Sequence, residues 1–194
     1  MAEENNVHIK VAMAEVFGLV LIGFIGILVG LFGMGSYDDL SVISGVAYTV
    51  GILLIVCTII AFLNENILLT AIFGVMGLFL MAFKAIAVGG ATEDPFTAGM
   101  VGIAFVGVVL LVCALVSLAQ PVKMLPILLF VAALAFIFLA LWWGDVFNNG
   151  IDNDYRTLVG AFWTLAAIIS LYMAAAISLL VMKGKQVLPL LIKA

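Results

Sequence analysis

The sequence predicts an all-α integral membrane protein, a six-transmembrane-helix up-down bundle with both termini cytoplasmic, and three observations predict it. The 194 residues are 67% hydrophobic and only 9% charged, with a mean hydropathy of +1.41. A soluble domain of that composition would have too little polar surface to cover its core. Six apolar stretches are each long enough to cross a hydrocarbon layer that takes roughly 20 residues per helix. The breaks between them, SYDDL, NEN, GATEDPF, AQPVK and the longer GDVFNNGIDNDYR, are short enough to force neighbouring helices antiparallel.

The chain 1–194 therefore reads as a single domain with spans at about 12–34, 41–63, 67–89, 97–118, 124–143 and 158–182. The first span carries Gly23, Gly26, Gly30 and Gly33, spaced so that all four share one helical face. Glycine is a poor helix former in water, but in hydrocarbon the backbone must bond to itself, so this bare stripe makes the first span the central packing helix. Cys57 in the second span and Cys113 in the fourth lie inside apolar runs and act as small hydrophobes. Before the third span, Asn64 or Asn66 supplies a capping oxygen and Glu65 suits the helix dipole. Thr70, Gly74, Gly77, Met81 and Lys84 then form a stripe along that span, as Ala166, Ser170, Ala174 and Ser178 do on the sixth. Trp142 and Trp143 close the fifth span and are expected to anchor it at the outer interface.

An even number of spans puts both termini on one side. That side holds Lys10, Lys123, Lys183, Lys185 and Lys193, against Arg156 alone in the opposite loops and Lys84 near the end of the third span. The positive-inside rule makes it cytoplasmic. The outer loops then hold Asp38, Asp39, Glu93, Asp94, Asp145, Asp152 and Asp154. With no basic patch and a net charge of -4, nucleic acid is not an expected partner. The N-terminal run is too long, and lacks the cleavage site, for a signal peptide.

Chemical signatures are sparse. The single histidine, His8, and two distant cysteines make no metal set, no serine sits in a nucleophile elbow, and the glycines lie in a membrane helix rather than a phosphate-binding loop. No catalytic residue, metal or cofactor is expected. Two ionisable residues fall within apolar runs, where charge is costly. Glu15 reads either as an interfacial carboxylate favoured by the dipole of the first helix or as a vestibule residue that handles a proton or a substrate. Lys84 reads either as a snorkelling cation or as a cation at the outer pore mouth. Phe17, Ile22, Phe24, Phe73, Met76, Phe130 and Leu134 are candidates for a hydrophobic constriction.

The sixth span, with Gly160, Phe162, Trp163 and Tyr172 followed by Gly184, Lys185, Val187, Leu188 and Pro189, resembles the end of the YaaH-like succinate-acetate permeases, the acetate uptake transporter family. The start of the third span, with Asn66, Thr70, Ala71, Phe73, Gly77 and Phe79, looks like a second stretch of that pattern. The family's N-terminal signature corresponds to residues 13–19, where only Gly18 and Leu19 keep it and Glu15 stands within it. Leu54, Ala61, Ile177 and Leu180 replace polar residues of the pattern. The resemblance places the pore-narrowing positions near Ile22, Val75 or Met76, and Ala132 or Leu134. It implies a permease or channel for small monocarboxylates such as acetate, with succinate a further substrate and proton coupling a further property. It also implies a hexameric ring in the plasma membrane with a pore in each protomer. A urea or amide channel, or a scaffold whose small-residue stripes serve assembly only, are the alternative readings.

Overall fold

The computed structural model describes residues 14–88 and 93–190, the side chains of residues 84, 86–88, 93–98 and 147 excepted. Its elements are α1 (Ala14–Gly33), α2 (Leu40–Leu63), α3 (Ile67–Val88), α4 (Glu93–Ser117), α5 (Met124–Asn149) and α6 (Tyr155–Lys183). Five of them are long and apolar enough to cross a bilayer, and the apolar segment Ile67–Phe83 of α3 is shorter. Large apolar side chains such as Phe62, Ile67, Leu78, Phe105 and Ile168 point outward. That is an arrangement water would penalise and lipid accepts.

The strongest helix pairings are α2 with α3, α1 with α6, and α4 with α5. The glycine stripe of α1 meets α6 running the other way: Gly26 faces Ala167, Gly30 faces Thr164 and Gly33 faces Gly160. At that last crossing the two backbones touch, because a Cβ built on Gly160 would lie 2.7 Å from the Gly33 carbonyl carbon and 2.8 Å from the Met34 nitrogen. Ser170 adds a buried hydrogen bond from its hydroxyl to the Leu19 carbonyl at 2.8 Å. Of the apolar span of α1, 61% is buried, more than in any of the other spans measured, so α1 is the central packing helix. The stripe on α3 faces α2, where a Cβ on Gly51 would stand 2.8 Å from the Gly77 carbonyl. With α1 and α6 antiparallel, the start of α1 and the end of α6 share one end of the bundle, here called the lower end.

The connections are tighter than their composition implies. Asp39 caps α2 by accepting from the Ser41 amide at 2.8 Å, and hydrogen bonding from the Ser41 side chain and backbone holds its carboxyl below the usual carboxylate range. The cap's contribution is accordingly present above the ordinary carboxylate pKa and lost as the pH falls through the lowered value. Asn66 is the capping asparagine of α3, accepting from the Leu69 amide at 3.2 Å.

Three boundaries differ from the sequence reading. Helix α4 begins at Glu93 rather than 97, since acidic residues and a proline are all accommodated in a first helical turn. Helix α5 runs on to Asn149 rather than 143, and α6 starts at Tyr155 rather than 158. Asn149 donates to Asp145 one turn earlier at 2.7 Å, and Gly150 at φ 75° ends the helix. Polar residues there bond within the helix instead of breaking it.

Trp142 and Trp143 also require correction. They are 1% and 3% exposed and sit in the core instead of anchoring the interface. The ring of Trp142 packs edge-on against Phe32 at 5.2 Å, and its indole donates to the Ile151 carbonyl at 2.9 Å. The longer α5 carries both rings below its true end, where α1, α3 and α6 enclose them.

Candidate functional site: two apolar chambers on the bundle axis

Two cavities lie along the axis, one toward each end. The lower cavity is lined by Leu19 and Ile22 of α1, Leu69, Ile72, Phe73 and Met76 of α3, Leu110 of α4, and Leu125, Leu128, Leu129 and Ala132 of α5. The upper one is lined by Val29 and Phe32 of α1, Leu40 and Ile43 of α2, Phe79, Leu80 and Phe83 of α3, Leu139 and Trp142 of α5, and Trp163 of α6. Their volumes are about 20 Å³ and about 10 Å³, and no polar surface opens into either. Each is near the lower limit for holding one water molecule, which would find no polar partners there. The conformation is therefore closed and dry.

The septum between the chambers follows from helical spacing. On α1, Ile25 falls between Ile22 and Val29 on the same face; on α5, Phe136 falls between Ala132 and Leu139. Both are sealed, at 0% and 1% exposure. The Phe136 ring lies 5.1 Å from that of Phe79 and 4.8 Å from that of Trp163. The Trp163 indole nitrogen is buried without a hydrogen-bond acceptor, an arrangement that costs about 1–3 kcal/mol relative to a satisfied donor.

The candidates named from the sequence are distributed unevenly around this axis. Ile22, Met76 and Ala132 line the lower chamber. Phe17 is 47% exposed, because it stands two residues before Leu19 and so on the far side of α1. Val75 is half-buried beside Met76, and Leu134 is half-buried two residues beyond Ala132; neither lines a chamber. Thr70 is half-buried, and its hydroxyl donates to the Asn66 carbonyl at 2.8 Å, within its own helix. Glu15 is half-buried in the first turn of α1. The side chain of Lys84 lies outside the described residues, as do those of His8, Lys10, Glu93, Asp94 and Lys193.

Above the upper chamber stands a group that the sequence reading used only for charge counting. Arg156, in the first turn of α6, is 6% exposed. Its Nε and Nη2 donate to the Phe32 carbonyl at 3.1 and 3.0 Å, and Nη2 also donates to the Tyr37 carbonyl at 2.9 Å. Nη1 pairs with Asp152 and Nη2 with Asp38. The guanidinium lies 4.8 Å over the Phe32 ring, whose other neighbours form the chamber wall. Tyr37 reaches back to the Leu28 carbonyl at 2.6 Å, and burial raises its phenol pKa. Asn153 donates to the Trp142 and Gly150 carbonyls at 3.2 and 3.3 Å. The α1–α2 and α5–α6 connections are thus tied together across the upper end of the axis. The available signal was a lone arginine four residues after an aspartate, amid acidic loops.

This six-helix fold has a counterpart among solved structures. The fold is that of the bacterial acetate channel SatP. The likeness has a TM-score of 0.80, spans 92% of this chain and 98% of that one, and carries 22% sequence identity. A scan against protein-family models found no match, and neither did a comparison with curated protein sequences. Against the SatP fold, one stretch that carried the sequence resemblance closes on itself: the Tyr172 hydroxyl donates to the Pro189 carbonyl at 3.0 Å, and Gly184 at φ 64° turns the chain between them.

Proposed function

We propose that this protein is a membrane channel or permease for small monocarboxylic acids, acetate foremost and succinate as a further candidate, with one pathway through each protomer. The observation that carries the reading is the pair of wholly apolar chambers stacked between α1, α3 and α5, within a fold shared with a bacterial acetate channel. An apolar axis of this kind gates by excluding water and penalises a bare carboxylate by several kcal/mol, on the order expected for an unpaired buried charge. The acid therefore crosses in its neutral form. When the septum at Ile25 and Phe136 parts, the unpartnered Trp163 N–H offers an acceptor-bearing acid its one donor from the chamber wall. Ile22, Met76 and Ala132 act as lower-chamber determinants of size, and Glu15 and Lys84 serve the two vestibules.

The lower end faces the cytoplasm of the plasma membrane, in keeping with Lys123, Lys183 and Lys185. Lys123 there closes the α4–α5 turn through bonds to the Leu118 and Gln120 carbonyls at 2.6 and 2.8 Å. Val101, Phe105, Val108, Val112 and Leu115 form an exposed stripe along α4, a face suited to lipid or to the neighbouring protomer of a hexameric ring.

The neutral fraction of a carboxylic acid falls about tenfold for each pH unit above its pKa. Labelled acetate should accordingly enter proteoliposomes faster than empty vesicles, with an excess that grows steeply as the external pH is lowered. A urea channel would instead show pH-independent urea uptake without competition from acetate. The closed axis favours one other reading, a scaffold without a pore, which predicts flux equal to that of empty vesicles at every pH.

A further inference from the structure

We infer that Arg156 is a carboxylate-binding site at the outer mouth, and that Asp38 and Asp152 are resident stand-ins for the carboxylate of an arriving substrate. The inference rests on the monocarboxylate reading above and adds to it the place where the anion is first held. The guanidinium is 6% exposed, yet the side chains that neutralise it are 70% and 84% exposed. Its seat does not depend on either of them, because the Phe32 and Tyr37 carbonyls hold Nε and Nη2 and the Phe32 ring lies beneath the plane.

Donor counting indicates which partner is exchangeable. Nη2 has two N–H groups and three oxygens around it, those of Phe32, Tyr37 and Asp38. The Phe32 carbonyl belongs to the last turn of α1, and the Tyr37 carbonyl to a connection pinned by the Tyr37 hydroxyl on the Leu28 carbonyl, so neither leaves as readily as an exposed side chain. Asp38 and Asp152 are the partners that can swing into water, being 70% and 84% exposed, and an arriving carboxylate restores the counter-charge that the buried guanidinium needs. A free carboxylate offers the same chemistry, with two oxygens for the arginine fork. The anion so held stands above the Phe32 ring that walls the upper chamber. This position suits capture because most of a small acid is ionised near neutral pH, whereas the chamber beyond admits only its neutral form.

The test compares wild type, Asp38→Asn, Asp152→Asn, Arg156→Lys and Asp154→Asn. Asp154 is an exposed carboxylate at the same end with no side-chain capping bond, so its variant reports the general effect of removing a negative charge. Two readouts are taken: the half-saturating concentration for acetate uptake in proteoliposomes, and the rise in melting temperature of detergent-purified protein produced by sodium acetate over sodium chloride at equal ionic strength. Asp38→Asn or Asp152→Asn should lower the half-saturating concentration about 3- to 10-fold and enlarge the acetate-specific shift, as expected when one competing charge-assisted bond is removed. Arg156→Lys, which keeps the charge but not the fork, should raise that concentration and shrink the shift. Asp154→Asn should change neither.

A purely structural Arg156 predicts lower melting temperatures for both aspartate variants with the acetate response unchanged, and that result would overturn the inference. An equal gain in Asp154→Asn would overturn it too, because the effect would then be general electrostatics. The melting readout needs no transport. Flux equal to empty vesicles alongside an acetate-specific shift would remove the channel reading and keep the binding site. Acetate flux with no change in either aspartate variant would do the reverse.

Discussion

Replacing Gly160 with leucine is expected to prevent the bundle from assembling. A Cβ at this position meets the Gly33 carbonyl carbon at 2.7 Å, the Met34 nitrogen at 2.8 Å and the Gly30 carbonyl at 3.1 Å. All three are backbone atoms of α1 or of the turn that ends it, so no side chain can rotate away and the helices must separate. From the other side, a Cβ on Gly33 would fall on the Gly160 backbone and 2.9 Å from the Arg156 carbonyl. Separation there loosens the whole α1–α6 seam, including the Ser170 to Leu19 bond at its far end. Overpacking at such a site costs about 3 kcal/mol or more even for alanine, and leucine adds three further carbons with no space to enter. Gly45→Ala and Gly102→Ala are the matched controls, since nothing lies within 4 Å of a Cβ at either position. They should change stability by no more than about 1 kcal/mol, toward greater stability by helix propensity. Thermal melts in detergent with elution profiles give the comparison. A Gly160→Leu protein melting like wild type would mean that α1 and α6 do not meet there.

The second large effect belongs to Arg156→Ala. The substitution strips the Tyr37 carbonyl of its side-chain donor, leaves the Phe32 carbonyl with the Gly35 amide at 3.0 Å but without the two guanidinium donors, and removes the cation over the Phe32 ring. The Tyr37 carbonyl left without its donor costs about 1–3 kcal/mol, the lost charge-assisted bonds to Phe32 about 1.5–3 and the ring contact about 0.5–2, which places the loss at roughly 3–5 kcal/mol. The carboxylates stand mostly in water while the guanidinium is buried, so the ion pairs lie between the exposed and the buried case. An Asp38→Asn, Asp152→Asn double variant keeps the carbonyl seat and offers the guanidinium amide oxygens in place of the carboxylates, and should lose less, about 1–2 kcal/mol. Hydrogen exchange locates the effect. In Arg156→Ala, protection should fall at the C-terminal turn of α1 and in residues 34–41, and remain at the Gly26 crossing. Equal destabilisation by the alanine and double-asparagine variants would show that the ion pairs, and not the carbonyl seat, hold the upper end together.

The parts of the fold legible in the sequence were those set by one-dimensional patterns. Helix number, order and antiparallel course follow from apolar runs of bilayer length and short breaks. The role of α1 follows from four glycines on one face, although their partner, α6, does not. Span ends were misjudged wherever polar residues find partners within a helix, as Asn149 does with Asp145. That error carried Trp142 and Trp143 to an interface they do not occupy. Among the pore-narrowing positions that the resemblance implies, Val75 beside Met76 and Ala132 beside Leu134 were left undecided. A shift of one or two residues rotates a side chain by roughly 100–200° around a helix, and only packing tells which of them faces the axis.

By itself, the sequence determined that this chain is a lipid-embedded bundle of six antiparallel helices, one of them bare enough to be gripped closely by another. It determined this because hydrophobic length and the absence of side chains are local properties, readable without knowing what lies opposite. The tertiary structure alone decided that the axis holds two dry chambers parted by Ile25 and Phe136, and that Arg156 is buried above them. The oxygens around that arginine include Phe32 and Asp38, 124 and 118 residues away along the chain, and no local pattern records which distant groups will converge on one charge when the helices close around it.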